Sequence, residues 1–331
     1  MTPPAVVARG LVKEYRVHRR EAGLAAVLRS VVRRRYDTVR AVDDVTFSIE
    51  PGERVGFLGP NGAGKTTTLK MLAGLLHPTA GEVRVAGFEP RLRDPRFLSR
   101  ITLVMGQKQQ LLWDLPPADT FAYNGAVFGV SRADLASRLA ELDALLGIAD
   151  LSKRPTRQLS LGERMKCELV AALLHRPDVL FLDEPTIGLD VSMQLTVREF
   201  IASYGARHGA TTLLTSHDMG DVVALCPRVI VVDGGRIRFD GSPDALVRSV
   251  RPHKRIGLRL AGPAPRELLE KVGAVVELDA AHAVVQVPQA SLRDAVAHLL
   301  ASLEVTDLTV EDPPLEEVLR EFFSTKPVEA P

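Results

Sequence analysis

Long apolar runs are the first thing this 331-residue chain lacks. The best candidates, Leu169 to Leu174 and Val222 to Val232, are short or broken by Cys226, Pro227 and Arg228, below the ~18 residues that span a bilayer. A role at a membrane would therefore need a partner. Met1 to Val7 has no basic start leading into an apolar stretch, so no secretory signal is expected. Cysteine is scarce as well. Cys167 and Cys226 each stand among apolar neighbours, fit small core residues in a reducing compartment, and match no metal-ligand spacing. Neither sign of charge dominates: 42 Lys and Arg face 41 Asp and Glu. With 46% hydrophobic and 25% charged residues, the composition is that of a globular protein rather than a disordered or fibrous one. The length allows two domains.

The even balance hides one basic stretch. From Arg16 to Arg40 there are eight arginines (Arg16, Arg19, Arg20, Arg29, Arg33, Arg34, Arg35 and Arg40) against Glu21 and Asp37. Leu24, Val27, Leu28 and Val31 fall at the spacing of one apolar helix face. A basic amphipathic helix within this insertion, 16–40, can lie on anionic lipid headgroups or dock on a protein; the insertion can equally pack its apolar face on its own domain. Nucleic-acid binding is not expected, because only Tyr36 interleaves an aromatic with the arginines.

Residues Gly59 to Thr66 read GPNGAGKT and carry the clearest chemistry. An apolar strand, Val55 to Leu58, precedes them, and a helical pattern begins near Lys65 with Leu69, Met71 and Leu72. Gly59, Gly62 and Gly64 permit backbone conformations that turn consecutive N–H groups onto one anion, and the helix adds its positive end. Pro60, Asn61, Ala63 and Thr67 complete the phosphate-binding segment. Lys65 is placed to reach the terminal phosphates of a nucleotide, and the Thr66 hydroxyl to ligate a bridging magnesium ion.

Residues up to about 240 alternate strand-like and helical runs, an α/β core with a largely parallel sheet. The alternation stops from Leu115 to Leu174, which is helical by pattern and predicts a helical subdomain over 115–174 inserted between two core strands. The expected domains are 1–241 and 242–331. In the second, the order β-α-β-β-α-β plus a last helix is ferredoxin-like and contains no catalytic cluster.

Downstream of the loop, Val179 to Leu182 reads as a buried strand ending in Asp183 and Glu184, where α/β folds place their ligands. Phosphoryl transfer to water needs charge neutralisation and a positioned nucleophile. Asp183 suits the magnesium side and Glu184 a general base. Around this strand stand Leu159-Ser160-Leu161-Gly162-Glu163, Pro185-Thr186-Ile187-Gly188-Leu189-Asp190 and Thr215-Ser216-His217-Asp218. In this order around a phosphate loop, the set resembles the ATP-binding-cassette (ABC) ATPases, over roughly Ala5 to Gly241.

The resemblance implies a P-loop ABC core that binds ATP and Mg2+. Tyr15 would stack on adenine, Gln107 would contact magnesium and the attacking water, and His217 would hold the γ-phosphate. Ser160 and Gly162 would close over ATP bound to a second copy of the fold, and Asp190 would link the two sites of a head-to-tail dimer. The family signature usually reads LSGGQ, so LSLGE departs from it at Leu161 and Glu163.

A single nucleotide domain without a membrane segment resembles the stand-alone ATPase subunits of bacterial drug, antibiotic and polysaccharide exporters. Leu111-Leu112-Trp113-Asp114-Leu115-Pro116 after Gln107 points the same way. A separate polytopic permease on the cell membrane would then be the partner, with this chain on its cytoplasmic face. The competing reading is a soluble ABC ATPase acting on ribosomes or nucleic acid; such proteins usually carry two nucleotide domains or a long coiled coil.

Overall fold

The computed structural model describes residues 3–18, 36–106, 108–250 and 253–324. The chain divides into two compact units, Met1–Asp240 and Gly241–Pro331.

In the first unit the strands are β1 (Val6–His18), β2 (Tyr36–Ile49), β3 (Arg54–Leu58), β4 (Ala80–Val85), β5 (Ile101–Met105), β6 (Val179–Asp183), β7 (Thr211–Thr215), β8 (Arg228–Asp233) and β9 (Arg236–Gly241). Six of them form one sheet in the order β5-β6-β7-β3-β8-β9, and β5-β6, β6-β7, β7-β3 and β3-β8 are parallel. Continuous apolar runs suit such strands, which are covered on both faces. Every residue of β6 and β7 is buried.

The other three, in the order β2-β1-β4, form a separate antiparallel sheet. One core joins both sheets through Val6, Ile49, Val55, Phe57, Val85 and Phe181. The Phe47 and Phe57 rings meet within it, tilted, with centres 5.8 Å apart.

The helices are α1 (Lys65–Leu72), α2 (Pro95–Leu98), α3 (Pro117–Val127), α4 (Arg132–Leu146), α5 (Leu161–Leu173), α6 (Val191–His208) and α7 (Met219–Leu225). The phosphate loop links β3 to α1, whose Leu69, Met71 and Leu72 are buried in the core. Between β5 and β6 run α3, α4 and α5, the expected helical insertion. Local signals set its limits: Ser131 caps α4 by accepting from the Asp134 N–H, and Gly147 ends it in the left-handed conformation.

Both ends of the expected insertion at 16–40 are strand. Residues up to His18 and from Tyr36 continue the β1–β2 ladder, with Tyr15 opposite Val39, Arg16 opposite Thr38 and Val17 opposite Asp37. Val17, Thr38 and Val39 are β-branched and fit a pleated ladder better than a helix. Leu24, Val27, Leu28 and Val31 lie outside the described residues.

The second unit comprises α8 (Pro243–Val250), β10 (His253–Leu260), α9 (Arg266–Glu270), β11 (Ala274–Leu278), β12 (His282–Pro288), α10 (Leu292–Ser302), β13 (Val305–Glu311) and α11 (Leu315–Ser324). Its sheet runs β11-β12-β10-β13 with every pair antiparallel, the ferredoxin-like arrangement. Alternate residues Ile256, Leu258 and Leu260 pack with Val285, Val287, Leu269 and Leu299.

Candidate nucleotide site

The phosphate loop turns at the end of β3 and enters α1 through Gly64, whose φ of 99° lies in the left-handed region. A Cβ there would also stand 2.3 Å from the Ala41 carbonyl oxygen, so both conformation and space require glycine. The Lys65 side chain folds back over the loop. Its Nζ donates to the Gly59 carbonyl at 2.6 Å and the Pro60 carbonyl at 3.1 Å. Burial holds the Lys65 pKa below its ordinary value, against the opposing pull of Glu184 and Asp183.

Thr66 Oγ1 donates to the Asp183 carboxylate, 2.9 Å from Oδ2. Thr215 Oγ1 donates to Asp183 Oδ1 at 2.7 Å. The end of β6 therefore meets the start of α1 through one carboxylate.

Glu184 follows with a φ of 56°, a conformation that costs a non-glycine residue free energy and marks many functional turns. Its N–H donates to the Thr215 carbonyl at 3.1 Å, which fixes the turn. Its carboxylate meets His217 twice: Oε2 accepts from the His217 backbone N–H at 3.1 Å, and Oε1 lies 3.1 Å from Nε2. Burial pushes the Glu184 pKa above the usual carboxylate range, although His217 and Lys65 pull the other way.

Lys65, Thr66, Asp183, Glu184 and His217 share one cavity of about 450 Å³, lined also by Asn61, Gly62, Ala63, Gly64 and Thr67. The size suits a small-molecule ligand. Lys70 and Lys108 add two cations to its wall. Neither was singled out from the sequence, although Lys70 follows Thr66 by one helical turn.

The end of β5 is clamped against the Asp183–Glu184 turn. Gly106 N–H donates to the Asp183 carbonyl at 2.9 Å. A Cβ on Gly106 would lie 2.0 Å from the Glu184 carbonyl oxygen, so the two chains touch backbone to backbone. Gln107, the next residue, lies outside the described residues.

The donor set suits a hard divalent cation. Thr66 offers a hydroxyl and Asp183 a carboxylate, while among the described residues no group of three or more His, Cys, Asp and Glu could build an all-protein cage. Magnesium takes this kind of site, with few protein oxygens and the remaining positions left to phosphates and water.

Outside the phosphate loop, four expected residues, Ser160, Gly162, Asp190 and Tyr15, stand apart from this cavity's wall. Ser160 caps α5 in a capping box: its Oγ accepts from the Glu163 N–H at 3.3 Å, and Glu163 Oε2 accepts from the Ser160 N–H at 2.8 Å. Arg154 also pairs with Glu163 at 2.6 Å. The hydrogen bond from the Ser160 N–H is the main reason the Glu163 pKa is held below its usual range, with Arg154 next. The carboxylate that departs from the family signature is thus used by its own helix start.

Gly162 approaches Met193 so closely that a Cβ would lie 2.8 Å from it. Asp190 caps α6, accepting from the Met193 N–H at 2.9 Å. Tyr15 lies on β1 with 37% of its surface exposed and Lys13 Nζ 5.3 Å from its ring centre; it does not line the cavity either.

Two buried carboxylates escaped the sequence reading. Glu168 on α5 accepts from the Gln110 N–H at 2.9 Å and the Leu111 N–H at 3.3 Å, and so ties α5 to the segment after residue 107. Asp221 on α7 is fully buried beneath the His217 loop. Each occupies a polar position in a helix, where sequence alone does not distinguish a solvated residue from a buried one. Farther along the same segment, Leu112, Trp113 and Leu115, with Tyr123 and Val127 of α3, are exposed apolar residues.

A parallel sheet with a glycine-rich loop leading into α1, and with a hydroxyl and two carboxylates at the ends of β6 and α1, defines a phosphate-loop nucleotide-binding protein. Comparison with known proteins narrows this. Residues 42–187 match the ABC transporter family, and residues 252–311 match the EvrA-like ABC transporter, C-terminal domain.

The chain is 38% identical to the ABC transporter ATP-binding protein NatA of Bacillus subtilis (strain 168), over 64% of this chain and 86% of that protein. It is 36% identical to the Nod factor export ATP-binding protein I of Paraburkholderia xenovorans (strain LB400), over 76% and 82%. A solved ATP-binding subunit of an ABC transporter shares the fold with a TM-score of 0.61 at 24% identity, covering 74% of this chain and 92% of that one. A dimeric ATP-binding cassette in a post-hydrolysis state, bound to ADP and Pi, gives 0.59 at 21% identity over 72% and 98%. The chain belongs to the ABC transporter family, as an ATP-binding subunit and ATP hydrolase.

Proposed function

We propose that this chain drives a membrane exporter as its separate ATPase subunit, with residues 1–241 as the ATPase domain and 242–331 as an accessory domain. The reading rests on the cavity in which Lys65, Thr66, Asp183, Glu184 and His217 converge. Asn61, Gly62, Ala63 and Gly64 cradle the phosphates, Thr67 extends the cradle, and Lys65 exchanges its loop carbonyls for the β- and γ-phosphates. Thr66 and Asp183, joined by Gln107, would hold Mg2+, which would supply neutralisation of phosphate charge. Glu184 accepts a proton from the attacking water, and His217 keeps that carboxylate in place and meets the γ-phosphate. The raised Glu184 pKa favours this role, since a base works best with a pKa near the operating pH.

Because Ser160, Gly162 and Asp190 do not line this cavity, a second copy supplies them in a head-to-tail dimer that closes on ATP, with Tyr15 on the adenine side. Among the described residues no helix is long and apolar enough to cross a membrane, so movement of cargo falls to a polytopic permease. The exposed Leu112, Trp113, Leu115, Tyr123 and Val127 form the apolar surface that receives a cytoplasmic helix of that permease. The NatA-like and Nod factor export relatives support a transport role, the latter export. The arginines of 16–40 would rest on anionic lipid at the cytoplasmic face.

The test is co-purification from detergent-solubilised membranes of the native host. A polytopic protein should be retained by the unaltered chain and lost with Trp113→Asp. Retention of none, by protein that binds ATP normally, would overturn the transport reading and leave the nucleotide site standing.

A further inference from the structure

We propose that Asp221, held by Arg198, is a positioning residue that sets the distance between Glu184 and His217. The proposal deepens the reading of that site as the hydrolytic centre.

Asp221 has no exposed surface, and a buried carboxylate is costly unless fully partnered. Its partners come from three places. Oδ2 accepts from the Thr186 hydroxyl and, at 2.6 Å, from the Ser216 hydroxyl; Oδ1 accepts from Arg198 Nε at 2.5 Å. Thr186 stands two residues after Glu184, and Ser216 immediately before His217. One carboxylate therefore bonds to both of the chain segments that carry the 3.1 Å contact between Glu184 and His217.

Arg198 on α6 completes the frame. Its Nη2 pairs with Asp218 at 3.0 Å, so the residues on either side of His217 are both tied to the same arginine–aspartate pair. Asp218 also caps α7 through the Gly220 N–H at 2.7 Å. Gly220 leaves room for the guanidinium: a Cβ there would stand 2.9 Å from Arg198 Nη2. Thr186, Ser216 and Arg198 do not line the cavity, so the effect of Asp221 passes through the two loops. Small displacements of reacting groups are enough to matter, because about 1 Å of misplacement can cost on the order of a hundred-fold in rate.

The experiment is a double-mutant cycle on the full chain. Single-turnover ATP hydrolysis and MgATP affinity are measured for Asp221→Asn, His217→Ala and the pair, with rates normalised to nucleotide-binding sites. Asp221→Asn should slow hydrolysis roughly ten- to hundred-fold while MgATP affinity stays within about two-fold, and it should add little to His217→Ala. An equal loss in both backgrounds, or an unchanged rate per binding site, would overturn the proposal. Should Asp221→Asn not fold, Ser216→Ala removes one donor and leaves the Arg198 pair, and the same cycle applies. If His217→Ala itself hydrolyses normally, the reading of the site fails instead, a result distinct from additivity.

Discussion

The phosphate-loop side of the first unit and its Ser160–Glu163 side use their polar groups differently. On the loop side, Lys65 bonds to loop carbonyls, Thr66 to Asp183 and His217 to Glu184, all around one cavity. On the other side, Ser160 and Glu163 bond each other and Asp190 caps α6, each serving the start of its own helix. Phosphate oxygens and a divalent ion can replace the first set of partners, because they offer the same chemistry. The second set is a scaffold that presents a helix start outward. In the proposed dimer, that helix start of one copy would face the cavity of the other.

The largest effect that could break the comparison is at Glu184. Glu184→Gln should lower steady-state hydrolysis by about a thousand-fold while leaving MgATP binding intact, read by phosphate release and calorimetry. To act as the proposed base in the unaltered protein, Glu184 must be ionised. With its pKa raised by burial, activity should fall as the pH drops through a limb above the ordinary carboxylate range. A limb at the ordinary value would contradict the assignment.

Next in size is Lys65→Ala, which removes charged hydrogen bonds to the phosphates and should weaken MgATP binding on the order of ten- to hundred-fold. Unchanged affinity would remove the loop from the site.

The smallest effects fall on the scaffold side and sharpen the contrast. Ser160→Ala should cost about 1 kcal/mol of stability through the lost cap, measured by denaturant unfolding. Glu163→Gln, which can keep the cap, should stay within about 0.5 kcal/mol and change hydrolysis less than two-fold. A loss of activity with Ser160→Ala beyond its stability cost would mark a contact to ATP in a second copy.

What was legible in the sequence followed local rules. GPNGAGKT after an apolar strand, VLFL before Asp183 and Glu184, and the β-α-β-β-α-β order of the second unit each report their own segment. The separate sheet β2-β1-β4 was not legible. Alternation in β1 marks a strand, but pairing with β2 and β4 depends on contacts distant in sequence. Nor was the strand at both ends of the basic stretch legible, because Val17, Thr38 and Val39 join a ladder whose pairing is made across the insertion. The roles of Glu168 and Asp221 were hidden because burial of a helical carboxylate is decided by what packs over it. Glu163 looked like a departure from the family signature, whereas Ser-x-x-Glu at a helix start is also a capping box.

The central claim, a hydrolytic site completed by a second copy, is tested most directly by the mass of Glu184→Gln in solution. Light scattering with saturating MgATP should give twice the mass of one chain, and with MgADP the mass of a single chain. The single-chain mass with both nucleotides, from protein shown to bind ATP, would contradict it.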